Sequence, residues 1–160
     1  MTSFFCHFCP MITKKLKLTH KDIAYISKRW VKKRDQLVSM MVIKQYANKS
    51  HHQIWVAVST KLHKSSVRRN MIKRVLYPLL YQEIEQIAWH HQYHGKFFFL
   101  VNSHNLQLKH IIHNSWPKDL KSDLKFYLQH HFKTHWFINM IQTCLESLRM
   151  QNFGSQGLSS

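Results

Sequence analysis

The apolar residues of this chain change period several times along its length, and each change marks an element. Leu18, Ile23, Ile26 and Trp30 follow helical spacing. Thr19 is a candidate N-cap with Asp22 three residues later, and Leu18 and Ile23 hold the positions of a hydrophobic staple. The pattern predicts a first helix ending near Lys32 to Arg34, whose charges suit a helix carboxy terminus. Leu37 to Tyr46 and Ile54 to Thr60 are rich in β-branched and bulky residues, with polar Asn48 to His52 between them, and read as two strands of an antiparallel hairpin. Lys96 to Asn102 is a short, nearly continuous apolar run, the pattern of a strand buried on both faces.

Between these strands a basic helix opens at Ser65 or Ser66 and runs toward Trp89. Pro78 must kink it or begin a second helix, because the ring and the missing N–H cost about 3 kcal/mol in a helix interior. A last helical region begins around Pro117, with Asp119 in its first turn and Leu120, Leu124, Leu128 and Phe132 on one face; Met140, Cys144 and Leu148 continue the period. The order α-β-β-α-β-α predicts a single α+β domain, a small sheet packed by helices. It spans residues 14 to 136, with an amino-terminal extension at 1 to 13 and a helical extension and disordered tail at 137 to 160.

Charge narrows the partner. Among 160 residues, 24 are Lys or Arg and only 7 are Asp or Glu, giving a formal net charge of +17, far beyond what solubility asks of a small domain. A polyanion is the expected partner. No stretch approaches the roughly 18 apolar residues of a membrane span, and Met1 to Cys6 lacks the positive start of a secretory signal, so a cytoplasmic location is expected. With 44% apolar and 13% aromatic residues the chain can bury a core. Three cysteines, an odd number, argue for reduced thiols rather than a disulfide framework. Of the three glycines, two fall in the last seven residues, which excludes a glycine-rich phosphate loop.

The segment Lys64 to Arg74 concentrates the chemistry. At about 100° per residue, Val67, Met71, Ile72, Val75, Leu76 and Leu79 share one arc, and Arg69, Asn70, Lys73 and Arg74 fall on the opposite one. Arg68 projects onto the apolar arc, so its guanidinium has to reach out past a buried stem. Lys61 and Lys64 add charge before the helix, close to free N–H groups that also favour an anion. Arg grips phosphate with a planar fork, Lys supplies a mobile point charge, and Asn donates and accepts at once, so the set suits RNA. Spacing alone leaves DNA and RNA both open.

Val58 to Arg74 resembles the signature of the bacterial ribonuclease P protein component, in which a strand ending in Val-Ser-Lys-Lys or similar is followed by a short basic linker and Arg-Asn-x-x-Lys-Arg on a helix. Here the strand ends in Val58-Ser59-Thr60-Lys61, and the motif is Arg69-Asn70-Met71-Ile72-Lys73-Arg74. The resemblance covers about residues 12 to 136, strongly at 56 to 74, and departs at Met71, usually basic, and at His63, where many members have Gly. It implies an α+β domain with a left-handed βαβ crossover and a supporting role in maturing tRNA 5′ ends. The RNA subunit of that endonuclease holoenzyme carries the chemistry with Mg²⁺, and the protein binds this catalytic RNA and the 5′ leader of precursor tRNA. No membrane or small-molecule substrate is implied. Arg69, Asn70, Lys73 and Arg74 match the RNA-contacting motif and Lys61 and Lys64 the basic lead-in, with Arg68 beside them; no catalytic residue falls on the protein. Tyr25, Trp30, Tyr46 and Trp55 are the aromatics available for leader stacking.

Other patterns carry less. Cys6-x-x-Cys9, with His7 between, is half of a zinc spacing without a second half, and the fourteen histidines lack ligand spacing around a carboxylate. Asp22, Asp35, Glu83, Glu85, Asp119, Asp123 and Glu146 form no two-metal cluster, and no nucleophile motif appears. Trp136 to Leu148 reads as an apolar helix whose simplest role is packing. The alternative class is a non-enzymatic basic RNA-binding protein, ribosome-associated or a chaperone of RNA. A DNA-binding regulator is a weaker third, since neither a helix-turn-helix spacing nor a zipper is evident.

Overall fold

The computed structural model describes residues 14–26, 28, 31–46, 48–88, 94–116 and 118–150. A 3-10 turn at Lys14–Leu16 leads into α1 (His20–Ile26) and three strands, β1 (Val31–Arg34), β2 (Val38–Lys44) and β3 (Gln53–Val58). Then follow α2 (Ser66–Ala88), β4 (Gly95–Val101), α3 (Leu106–Asn114), α4 (Leu120–Phe132) and α5 (His135–Met150). The architecture is α+β, built on one four-stranded sheet in the order β1-β2-β4-β3.

β2 is antiparallel to both β1 and β4, whereas β3 runs parallel to β4. The expected hairpin of 37–46 with 54–60 therefore does not form, because β4 lies between β2 and β3. The apolar run Phe97 to Val101 explains the insertion: it is the strand with most to gain from neighbours on either side. The hairpin that does form joins β1 to β2 through a tight turn, where the Asp35 N–H donates to the Val38 carbonyl at 2.8 Å. Residues 31–34 are thus an edge strand and not the end of the first helix, which stops at Ile26. Lys32, Lys33 and Arg34 suit that edge, since cations discourage pairing with a further chain. Trp30 lies outside the described residues.

One sheet face carries Met40, Val42, Ile54, Val56, Phe97 and Phe99, all buried beneath α2, α4 and α5. Helix α5 contributes Phe137, Ile141, Cys144, Leu145 and Leu148 to this same core, and burial pushes the Cys144 thiol up to about 12 against the opposing charge of Lys33. The apolar period of α4 does continue into α5, but the helix is interrupted at Lys133 and Thr134. Helix α3 is absent from the sequence reading. Its start is set by Asn105, whose side chain accepts the Leu108 N–H at 2.7 Å.

Helix α2 runs without a break through Pro78, so no second helix begins there. The proline removes the donor that the Arg74 carbonyl would otherwise receive. Replacing Pro78 with Ala is expected to stabilise the fold by about 1–3 kcal/mol, read as a higher urea midpoint at unchanged m. The free edge of β3 is covered on two sides. The Tyr77 hydroxyl of α2 accepts the Val56 N–H at 3.1 Å, and Leu18 N–H donates to the Ile54 carbonyl at 3.2 Å. The Tyr77 contact holds α2 along the edge of β3.

Candidate nucleic-acid interface

The basic segment begins in a loop whose geometry is built by side chains. Leu62 is buried and anchors it, and the Ser65 N–H donates to His63 Nδ1 at 3.0 Å. No described non-glycine residue has a positive φ, so His63 fits where glycine is common without left-handed backbone. The His63 imidazole packs on His113 of α3 with ring centroids 4.8 Å apart. Burial lowers its pKa below the ordinary histidine value, and the charges of His113, Arg68 and Arg69 lower it further. A neutral His63 is the form that can accept from Ser65.

The seven cationic and amide residues of this segment divide into two sets. Arg68 is half-buried, and its guanidinium donates to the Ile112 carbonyl near the end of α3. Arg69 turns back on the lead-in, one nitrogen donating to the carbonyls of His63 at 2.8 Å and Lys64 at 2.5 Å. Both arginines tie the helix start to its surroundings, although Arg69 keeps further N–H donors for an outside acceptor. Asn70 and Arg74 are exposed and Lys73 half-buried. Lys61 and Lys64 are exposed on the lead-in loop. Val67, expected on the apolar arc, is 73% exposed, because burial along α2 begins only at Ile72 and the first turn overhangs the core.

The second surface is the sheet face turned away from α2. Register places Lys32, Met41, Phe98 and Trp55 in one row across the four strands, and Arg34, Ser39, Leu100 and Ala57 in the next. Met41, Phe98 and Trp55 are half-buried, while Lys32 and Arg34 stand exposed at the β1 edge. Helix α1 covers the far end of this face, with Leu18, Ile23 and Ile26 against Ile43. The capping box forms as expected: the Thr19 N–H donates to Asp22 at 2.9 Å and the Asp22 N–H to the Thr19 hydroxyl at 3.3 Å. Asp22 also pairs with Lys96 of β4, which is 1% exposed and sits 3.8 Å from the Tyr46 ring centroid.

Of the aromatics proposed for stacking, Trp55 is on this face and packs near His20 at 5.5 Å, whereas Tyr46 and Tyr25 are 55% and 45% exposed. The sequence reading missed Met41, Phe98, Lys32 and Arg34. Taking 31–34 as helix hid the strand alternation that aligns them.

No family model matches the chain, and no curated protein matches its sequence. Solved structures similar to it include bacterial ribonuclease P proteins. A Staphylococcus aureus RNase P protein mutant with defective mRNA degradation activity aligns at 16% identity and a TM-score of 0.47, covering 75% of this chain and 87% of that one. The RNase P protein of the same organism gives 17% identity and 0.43 over 71% and 92%. That of Thermotoga maritima gives 13% and 0.41 over 71% and 96%.

The donor set also bears on metal. Among Lys61, Lys64, Asn70, Lys73 and Arg74 the Asn70 amide oxygen is the single neutral acceptor, so this face does not fit a hard cation that takes about six oxygens. No group of three His, Cys, Asp or Glu capable of holding a metal occurs among the described residues. Cys6, His7 and Cys9 lie outside them. No described helix is long and apolar enough to cross a membrane.

Proposed function

We propose that this chain is the protein subunit of a ribonuclease P, binding the catalytic RNA and the 5′ leader of precursor tRNA. The observation that carries this reading is the placement of Arg69-Asn70-x-x-Lys73-Arg74 on the crossover helix directly after β3, with Asn70 and Arg74 turned outward. Such a face offers phosphate two mobile or forked cations and a ribose hydroxyl one amide. The half-open sheet face, with Trp55, Phe98 and Met41 beside Lys32 and Arg34, supplies stacking and charge for an unpaired leader.

In this reading the protein performs no bond cleavage. Mg²⁺ held by the RNA subunit would supply the Lewis-acid chemistry, and the chain's own cations lower the repulsion between RNA and substrate phosphates. The protein's work is positional: α2 holds the catalytic RNA, and the sheet holds the leader in a fixed relation to it. A cytoplasmic ribonucleoprotein follows.

The test combines the protein with its cognate ribonuclease P RNA and precursor tRNA at low Mg²⁺. Cleavage at the mature 5′ end is expected to rise well above that of the RNA alone; equal cleavage sinks the assignment. The net charge of +17 also favours a second reading, a basic RNA-binding protein without a processing role. Copurification with bulk ribosomal RNA, in place of one structured RNA, would select it.

A further inference from the structure

We infer that the groove at the carboxy end of β1, walled by α4 and α5, is a second RNA site that takes an unpaired nucleotide, with Trp136 as the stacking platform. The inference rests on the reading that the partner is RNA, but apart from Arg34, which stands at the β1 edge shared with the open sheet face, it concerns residues outside that face and the α2 motif. Two clefts meet here. A wider one of about 600 Å³ lies among the β1–β2 turn, the β4–α3 loop and α4, and a narrower one of about 190 Å³ lies between β1 and α5; Arg34 and Asp35 wall both. The wider cleft falls within the roughly 300–1,000 Å³ of small-ligand sites, enough for a base and its sugar.

The groove is built on fixed parts. Buried Asn102 donates to the Asp35 carbonyl at 2.6 Å and accepts from the Ser39 hydroxyl at 2.9 Å, locking the β1–β2 turn to the end of β4. The Asp35 carboxylate is committed, pairing with His131 of α4 and accepting the Gln36 N–H at 2.6 Å. Both carboxylate oxygens are thus occupied by neighbouring donors. What faces solvent has the chemistry of single-strand recognition. Trp136 lines the narrow cleft with its indole 78% exposed, next to Lys33 and Arg34. Gln36, Gln107 and His130 line the wide cleft with groups able to meet a base edge. An aromatic face beside a cation pair is the arrangement by which proteins hold unpaired bases while neutralising the adjoining phosphates.

The site also stands apart from α2. β1 and β3 are opposite edges of the sheet, about 14 Å apart at the usual strand spacing, and α2 lies along the β3 side. The two surfaces therefore contact different stretches of RNA.

The experiment measures binding of a fluorescently labelled octauridylate to the full chain as a function of salt. Trp136→Ala is expected to weaken binding about 5- to 100-fold without changing the salt slope, because a stacking surface is lost and no charge is removed. Trp136→Phe should restore most of the affinity, and Lys33→Gln, which removes the cleft cation that the open sheet face does not share, should lower the slope by about 0.7. Wild-type affinity in both Trp136→Ala and Lys33→Gln, while Lys73→Ala/Arg74→Ala impairs binding of structured RNA, overturns the groove and leaves the functional reading standing. Absence of any RNA affinity in the unsubstituted chain overturns both. Equal displacement of the oligonucleotide by octaglutamate would show attraction by charge alone and also overturns the nucleotide site. Trp136 is exposed, so its variants should keep the wild-type urea midpoint.

Discussion

Asp22→Ala is expected to destabilise the protein by about 3–5 kcal/mol, a large part of the stability of a domain this size. The reason is its partner. Lys96 is 1% exposed, and Asp22 is the carboxylate paired with it. Removing Asp22 leaves an ammonium in the interior, stacked over the Tyr46 ring but without its carboxylate. The cation–π contact offsets about 0.5–2 kcal/mol and cannot replace the ion pair. Helix α1 loses its box as well, and at seven residues it is too short to persist without tertiary anchors. The double variant Asp22→Ala/Lys96→Met should recover most of the loss, because both charges then leave together. Urea unfolding of the three proteins reads the result. A deficit below about 1 kcal/mol in the single variant would mean that water screens the pair as it does at a surface.

The same contact predicts a pH dependence. Burial raises the Asp22 pKa, but hydrogen bonds from Lys96 and Thr19 outweigh it, and the carboxyl titrates at about 2, down from 3.8. Between those values the unfolded chain binds more protons than the folded one, so stability rises with pH. The contribution is fully present above 3.8 and is lost as pH falls from there through about 2. Asp22→Asn should flatten the stability curve in that window.

Local rules explain which parts of the fold were legible in the sequence. The box at Thr19 and Asp22, the span of α2 and the run that became β4 depend on short-range chemistry, and each formed where its residues stand. Strand pairing depends on competition. Residues 37–46 and 54–60 are neighbours in sequence, yet β4 separates them, because a strand of continuous bulky residues gains more from two partners than β2 and β3 would gain from pairing with each other. Strand β1 was hidden because three successive cations look alike at a helix end and on a sheet edge. At the candidate site, helical arcs separated Asn70, Lys73 and Arg74 from the packing face. They could not show that Arg69 folds back onto two carbonyls of its own loop, since that contact depends on the path of His63 and Lys64.

Joint replacement of Asn70, Lys73 and Arg74 by Ala is expected to weaken binding to structured RNA at least tenfold at moderate salt. Each charge-assisted hydrogen bond contributes about 1.5–3 kcal/mol, and two are removed with one neutral contact. The salt dependence carries the sharper information. Two lost cations should lower the slope of log K against log salt by about 1.4–1.8, whereas Asn70→Ala alone should reduce affinity and leave the slope unchanged. Arg69 is left out because its loss would release the carbonyls of His63 and Lys64 and disturb the loop that presents Lys61 and Lys64. Arg68 is excluded for a parallel reason, its donation to Ile112 of α3. Substituting either arginine should lower the urea midpoint as well as affinity, whereas the triple variant, confined to exposed and half-buried positions, should alter affinity with little change in stability. An unchanged salt slope in the triple variant would remove Lys73 and Arg74 from the interface, leaving the charge of Lys61, Lys64 and the sheet edge to account for whatever RNA binding remains.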